Sequence, residues 1–209
     1  KTMKKIRNNM EDNEKRFEQD IETWLTSPAG GWTKTTFQES HYDATKGLDI
    51  ETLIQFVKET QEKKWARYEK VVGADPVESF YKRFEQEVSQ HGILHVLRKG
   101  IRDRGVHFKI VQLRPSSTLN EDITRDYQAN KTQVFAYSPH NRNTIDMVLS
   151  INGIPLIAVE LKNQLKGQSV EHAKKQFMFD RDPKEIVFQF NHRILVYFAV
   201  DLNQAWMTT

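Results

Sequence analysis

Three charged residues stand inside an otherwise apolar stretch, residues 143–163, and their types suit the hydrolysis of a phosphate ester. Asp146, Glu160 and Lys162 interrupt two apolar runs that an Asn-Gly pair joins. Ionised side chains inside strands cost free energy unless a partner offsets their burial. Two carboxylates supply the hard oxygen ligands that Mg²⁺ prefers, and an adjacent ammonium group can orient water or stabilise charge developing on a phosphate. The stretch therefore predicts a metal-dependent nuclease site.

The turn between the two runs decides whether these charges meet. Asn152-Gly153 is a strong signal for a β-hairpin. A strict two-residue loop would place Asp146 on the opposite face of the ribbon from Glu160 and Lys162. A three-residue loop or a β-bulge shifts the alternation and brings all three to one face. A shared site thus predicts an odd-length connection or a bulge, and the alternative is an edge hairpin with solvated charges.

Other polar residues could serve the same site. Gln176 lies on a helix predicted after the hairpin and could reach the phosphate, the water or Lys162, although its position alone favours a solvated helix face. Glu18 or Glu22 on the first helix could add a third carboxylate, although surface glutamates are far commoner than metal ligands. Two basic clusters could contact phosphates, with a solvated face as the alternative. The clusters are Lys162, Lys166, Lys174 and Lys175, and Arg98, Lys99, Arg102 and Arg104.

The composition limits the remaining classes of protein. The chain has 209 residues, 38% hydrophobic and 28% charged, as in a soluble globular protein with one large domain or two small ones. Its net charge of +3 means that any contact with DNA must come from a local patch. The lack of cysteine excludes thiolate zinc sites and fits a reducing cytosol. No apolar run has membrane-spanning length, and no glycine-rich loop predicts ATP binding.

Hydrophobic periodicity predicts a helical N-terminal part, residues 1–104, that packs on a mixed α/β core, residues 105–209. In the first part, Asp49 suits a helix N-cap and Pro76 a first helical turn. In the second part, Ser169 suits the cap of a helix from Val170 to about Asp180. The predicted strands are Val106–Leu113, Val134–Tyr137, the two arms of the 145–162 hairpin, Ile186–Phe190 and Ile194–Val200, with a short helix over Asn120–Asn130. Because the chain stops inside an apparent strand, we expect a fragment of a longer protein.

Several blocks of sequence, taken together, carry a family resemblance that covers nearly the whole chain. They are FEQDIETWL (Phe17–Leu25) with GGW (Gly30–Trp32), HGILHVLRKGIRDRGVHFKI (His91–Ile110), IDMVLSINGIPLIAVELKN (Ile145–Asn163), KKQFMFDRDP (Lys174–Pro183), and VYFAVD with WMTT (Val196–Thr209). The chain resembles the N-terminal nuclease region of type I restriction enzyme R subunits. That resemblance implies a restriction-endonuclease-like fold, in which helices flank a mixed β-sheet.

The resemblance also implies roles for the charged residues. By the PD-(D/E)xK pattern, Asp146 and Glu160 are the metal carboxylates and Lys162 is the catalytic lysine. The proline of that pattern is replaced by Ile145.

Two further positions match the family more loosely. Gln176 falls on the glutamine of its Q-x-x-x-Y motif, but Asp180 stands in place of the tyrosine. Glu18 matches the acidic position of the first helix that contributes to the site, with Glu22 as its rival.

The implied activity is Mg²⁺-dependent cleavage of double-stranded DNA in the cytoplasm of a bacterium or archaeon. Helicase domains that follow this region in the family would bind ATP and translocate DNA, and modification and specificity subunits would complete the complex. Two alternatives remain: a non-catalytic domain for docking and DNA channelling in the same complex, or a stand-alone repair nuclease of the same fold. The intact Asp146–Glu160–Lys162 set favours catalysis over docking.

Overall fold

The computed structural model describes residues 15–137, 144–162 and 169–209. Helices and strands are numbered in chain order, with a π-helical turn at Gln176–Asp180 and a 3₁₀ turn at Ile186–Phe188. The helices are α1 (15–25), α2 (Ile50–Thr60), α3 (Glu62–Val72), α4 (Pro76–His91), α5 (Ile93–Lys99), α6 (Glu121–Gln128) and α7 (Val170–Lys175). The strands are β1 (Thr33–Lys34), β2 (Ile101–Asp103), β3 (Val106–Phe108), β4 (Thr132–Tyr137), β5 (Ile145–Ile151), β6 (Ile154–Leu161), β7 (Val196–Val200) and β8 (Ala205–Thr208).

Six of these strands form one mixed sheet in the order β1-β4-β5-β6-β7-β8. The pairs β1–β4 and β6–β7 are parallel, whereas β4–β5, β5–β6 and β7–β8 are antiparallel. The central strands β5 and β6 are the arms of the predicted hairpin. Helices flank this sheet, which confirms the predicted α/β class.

Alternate residues of the central strands face two different cores, as the two-residue period of a strand requires. On one face, Met147 and Leu149 pack with apolar side chains of α1. On the other face, Val148 and Ala158 pack with aromatic residues of β4 and with the segment that contains the 3₁₀ turn. Helix α7 covers this second face through Ala173, which packs with Ala199 of β7.

Helices α2 to α5 form a third core, together with the separate β2–β3 hairpin. The side chain of Asp49 caps α2 by accepting from the backbone N–H of Thr52, and Pro76 opens α4, as predicted. This part meets the sheet at the β5–β6 turn, where the Asn152 side chain donates to the Ile110 carbonyl at 2.9 Å. Among the described residues, no helix is long and apolar enough to cross a bilayer.

Several boundaries differ from the predictions. Ile186–Phe190 is not a strand but contains a 3₁₀ turn, because a short apolar run does not distinguish the two. The strand predicted over Val106–Leu113 ends at Phe108. The helix that starts at Val170 changes to π geometry at Gln176.

The domain division remains a prediction. The boundary at 104/105 falls within the turn between β2 and β3, and both strands pack in the helical core. In addition, α1 packs on the six-stranded sheet and β1 is one of its strands, although both lie in the first part of the sequence.

Candidate active site

The β5–β6 turn contains two residues and is formed as the Asn-Gly pair predicts. Ile151 pairs with Ile154, and both turn residues have positive φ, 50° at Asn152 and 77° at Gly153. A Cβ at Gly153 would overlap the carbonyl oxygen of Asp49, so only glycine fits. This turn alone would separate the charged residues.

A β-bulge restores the common face. Leu149 pairs with Ile157, whereas the next residue, Ser150, pairs with Pro155, so one residue of β6 has no partner. The extra residue shifts the alternation of β6 relative to β5. The prediction of a bulge or an odd-length loop is therefore confirmed. It is the bulge, not the loop, that brings the charged residues to one face.

The bulge places Asp146 and Glu160 side by side on the second face of the sheet. The register pair Met147–Val159 directly precedes them towards the open end of the hairpin. Oδ2 of Asp146 accepts a hydrogen bond of 2.6 Å from the backbone N–H of Leu161, which fixes its carboxylate against β6. Glu160 is 2% exposed. Burial raises its pKa above the usual value, and the negative charge of Asp146 adds to the effect.

Two buried cations hold the carboxylate of Glu160, one at each oxygen. Nζ of Lys162 lies 3.0 Å from Oε1, and Nη2 of Arg181 lies 3.0 Å from Oε2. The same Nη2 donates to the carbonyl of Thr144 at 2.7 Å, two residues before Asp146. Both cations oppose the rise in the pKa of Glu160. The arrangement brings two carboxylates and two cationic side chains together at one end of the central strands.

Sequence reasoning missed Arg181. It lies in the polar DRDP segment that follows the last predicted helix, and an arginine in such a segment usually belongs to the surface. Its position five residues after Gln176, directly beyond a helix that covers the charged strands, was the available signal.

Gln176 begins the π-helical turn on the same side of the sheet as the acids. Helix α7 packs on Ala199, whose register partner on β6 is Glu160. Oε1 of Gln176 is buried and accepts no hydrogen bond from any described residue. A buried acceptor without a donor normally serves a water, an ion or a ligand, and π-turns within helices are frequent at functional sites. Asp180, at the position of the family's tyrosine, is exposed.

The comparison with known proteins agrees with this geometry. The family described as "Type I restriction enzyme R protein N terminus" matches residues 4–209. The chain belongs to this family. A search of curated proteins finds no match. As a member of the R-protein family, the chain has a restriction-endonuclease-like α/β fold, and its family is that of multi-subunit enzymes that act on DNA.

In the part of the chain that the structure describes, no third carboxylate is grouped with the two acids. Helix α1 packs on the opposite face of the sheet, where Phe17 and Ile21 join the core. On that helix, Glu22 pairs with Lys34 at 2.6 Å, whereas Glu18 is half-buried. Among the described residues, no group of three or more His, Cys, Asp or Glu side chains could hold a metal. The role of Glu18 as a metal ligand stays a prediction.

The first predicted basic cluster has mixed surroundings. Lys162 is 7% exposed and faces Glu160 rather than solvent, whereas Lys175 is exposed. Nζ of Lys174 lies 3.9 Å from the ring centroid of Trp206, next to the C-terminal edge of the sheet. Lys166 lies outside the described residues. DNA binding by these lysines stays a prediction.

The donor set fits a hard divalent cation. Asp146 and Glu160 offer carboxylate oxygens on one face, and their mutual repulsion would fall if a cation lay between them. Gln176 adds a buried amide oxygen on that side of the sheet. Oxygen ligands of this kind suit Mg²⁺, which usually binds one or two carboxylates and retains several waters.

Proposed function

We propose that this domain is the Mg²⁺-dependent endonuclease module of a type I restriction enzyme R subunit and hydrolyses DNA phosphodiester bonds. The observation that carries the proposal is that buried Glu160 and Lys162 lie beside half-buried Asp146 on two adjacent central strands. Keeping such charges in the interior costs free energy that a purely structural pair of strands would not need. Membership of the R-protein family supports the same reaction.

In this proposal, Asp146 and Glu160 would hold Mg²⁺, and the buried Oε1 of Gln176 would accept a hydrogen bond from a water in the site. The bound cation would polarise the phosphate and lower the pKa of the attacking water. The Leu161 backbone N–H keeps the Asp146 carboxylate turned towards β6. Arg181 keeps Glu160 from rotating by holding its second oxygen. Pre-ordering of this kind avoids reorganisation during the reaction.

Lys162 then acts on the substrate. Its Nζ lies 3.0 Å from Oε1 of Glu160, so the ammonium group is fixed by a neighbour and can donate its other protons outwards. It orients the attacking water and stabilises the charge that develops on the phosphate oxygens. In the reaction, the water oxygen bonds to phosphorus, one P–O ester bond breaks, the proton of the water leaves, and the departing oxygen takes up a proton.

The wider proposal follows the family. The domain would work in the cytoplasm of a bacterium or archaeon within an R subunit whose helicase domains hydrolyse ATP and translocate double-stranded DNA. Modification and specificity subunits would complete the complex, and the specificity subunit would recognise the DNA sequence.

The test uses single substitutions in the assembled restriction complex. Asp146→Ala and Lys162→Ala should each abolish DNA cleavage, because the first removes a metal ligand and the second removes the ammonium group. ATP hydrolysis should continue at the wild-type rate, since it belongs to other domains. Cleavage of a plasmid and ATP turnover are measured on the same preparations.

Glu171→Ala is the matched control. It removes an exposed carboxylate on α7 whose partner is Lys174, 2.8 Å away. This variant should cut DNA normally. Normal cutting by both Asp146→Ala and Lys162→Ala would show that the assignment of the site is wrong.

One observation favours the non-catalytic docking alternative. Both oxygens of Glu160 already have cationic partners within the protein, so the four charges balance without a metal. Under this alternative, the complex would still cut DNA after Lys162→Ala but would assemble poorly. Subunit association by gel filtration therefore separates the two functions.

A further inference from the structure

A second charged surface lies in the helical part, on the end of α5 and on the β2–β3 hairpin. Residues 98–109 contain five Lys and Arg against one Asp, a net charge of +4 with His107 neutral, whereas the whole chain has +3. All five cations are exposed. They are Arg98, Lys99, Arg102, Arg104 and Lys109, and together they are called the hairpin surface.

No described acid balances this surface. Within the described residues, none of its five cations forms an ion pair. The one acid of the segment, Asp103, accepts a hydrogen bond of 2.7 Å from the hydroxyl of Tyr68 in the helical core. In contrast, exposed Arg125 on α6 lies 2.9 Å from Asp122. The hairpin surface therefore presents a net positive charge to its surroundings.

The backbone that carries the cations is held firmly. Phe108 and its neighbours on the strands are buried in the helical core. A Cβ at Gly100 would overlap the carbonyl oxygen of Phe108, so the end of α5 touches the hairpin directly. Nε of Arg83 donates to the Arg102 carbonyl at 2.9 Å. The backbone of the hairpin surface is therefore already ordered before a ligand binds, which lowers the entropy cost of binding.

A cavity of about 220 Å³ opens between α5 and the hairpin. Lys99, His107 and Lys109 are among its lining residues, and Nε2 of His107 lies 2.6 Å from the carbonyl of Lys99. Its lining combines the cationic residues Arg98, Lys99 and Lys109 with apolar Leu97, Val111 and Leu113. The cations give the cavity a positive charge that would attract a phosphate group.

We propose that the hairpin surface binds the phosphate backbone of double-stranded DNA. The inference rests on the proposed function, because it takes DNA as the substrate. The exposed hairpin side chains Arg102, Arg104 and His107 are all polar, whereas a docking face for a protein would normally include an apolar centre. A two-stranded ribbon is also narrow enough to lie along a groove of the duplex.

The surface lies far from the candidate active site. The helical part meets the sheet at Asn152, which bonds to Ile110 just after the hairpin, whereas Asp146 lies at the other end of β5. Six residues of strand separate these positions, or about 20 Å. A duplex spans that distance in about six base pairs. The hairpin surface therefore holds DNA at a distance from the bond that is cut.

The test measures binding of a non-specific 30-base-pair duplex by the assembled complex without ATP, over a range of salt concentrations. The variant carries Arg102→Gln and Arg104→Gln. Loss of two phosphate contacts should reduce the slope of log K against log[salt] by about 1.8 and weaken binding about tenfold at low salt. The control carries Lys82→Gln and Arg125→Gln, which remove two exposed cations paired with acids. It should match the wild type.

Three outcomes decide the proposal. A lower slope and weaker binding in the hairpin variant alone support it. Equal binding by the two variants overturns it, and so does equal DNA binding with weakened subunit assembly, which would assign the surface to a protein partner. Failure of the proposed active site is seen separately, because the cleavage assay of Asp146→Ala and Lys162→Ala tests that site, whereas this binding assay measures no cutting and uses neither variant.

Discussion

Arg181 holds the oxygen of Glu160 that Lys162 does not contact, and it bonds at the same time to the backbone just before Asp146. The planar guanidinium group suits this bridging contact, whereas the ammonium group of a lysine is a single point charge. A buried ion pair adds little net stability over apolar residues of similar volume, but removal of one partner leaves an uncompensated charge. Arg181 is thus a positioning residue, whose loss affects both stability and the geometry of Glu160.

Arg181→Met in the assembled complex should slow DNA cleavage by tenfold to about a hundredfold, because Glu160 would no longer be held in place. The Mg²⁺ concentration for half-maximal cleavage should rise. The variant should also lose about 3 kcal/mol of stability, or roughly 6–12 °C in Tm. Cleavage rates across a Mg²⁺ titration and thermal unfolding are measured together.

Arg181→Lys should restore part of the stability but leave the Mg²⁺ requirement raised, since its ammonium group cannot keep both contacts of the guanidinium. As a control, Arg125→Met removes an exposed arginine and should change Tm by less than about 2 °C. An unchanged Mg²⁺ requirement in Arg181→Met would mean that the residue is merely structural.

The site residues that could be predicted from the sequence are those whose neighbours in the chain differ from them in polarity. Asp146, Glu160 and Lys162 interrupt apolar strands, so their charges stand out from their neighbours in the chain itself. Arg181 lies among polar neighbours, and only the fold buries it to 9% exposure. Burial of that kind depends on contacts between distant segments, which a local pattern does not contain.

At the scale of elements, the turn of the β5–β6 hairpin and the bulge in its strand determine different features of the site. Asn152-Gly153 predicted the tight turn, but the common face of the acids depends on the bulge. A signal for the bulge was present, since Pro155 lies in a central strand without an N–H to donate. Pro155 therefore marks the part of β6 where the regular pattern of strand hydrogen bonds is interrupted. The exact position of the bulge depends on how the side chains pack on both faces of the sheet.

The glycine of this turn should be far less replaceable than another glycine with the same backbone angle. Gly153→Ala places a Cβ against the Asp49 carbonyl, whereas Gly105, with φ of 76°, has nothing within 4 Å. Gly105→Ala should cost about 1–2 kcal/mol for the left-handed conformation alone. Gly153→Ala should cost at least about twice that. Chemical denaturation of the two variants measures the difference, and equal losses would argue against the close contact.

At the scale of the whole molecule, Arg193 ties the segment before β7 to the helical part. It is completely buried, and its guanidinium group donates to the carbonyls of Gly47 at 3.2 Å and of Lys46 at 2.6 Å. It also pairs with Glu85 of α4. These partners lie more than a hundred positions away along the chain, so one side chain joins the two parts that the sequence separates.

Arg193→Met should weaken this connection and lower stability by about 3 kcal/mol or more. The unfolding transition should broaden or divide in two, because the helical core and the sheet would no longer unfold together. Calorimetry of the variant gives both quantities. Arg67→Met, at an exposed position on α3, serves as the control. A single sharp transition at the control's Tm would show that the parts are joined by other contacts.

The π-helical turn at Gln176–Asp180 has a consequence for the evolution of such domains. A π-turn arises when one extra residue is accommodated in an α-helix, and loss of that residue would let the helix tighten. The following residue would then rotate by about 100° around the axis, which would carry Arg181 away from Glu160. We therefore expect the number of residues between Gln176 and Arg181 to vary less among related chains than the identities of those residues.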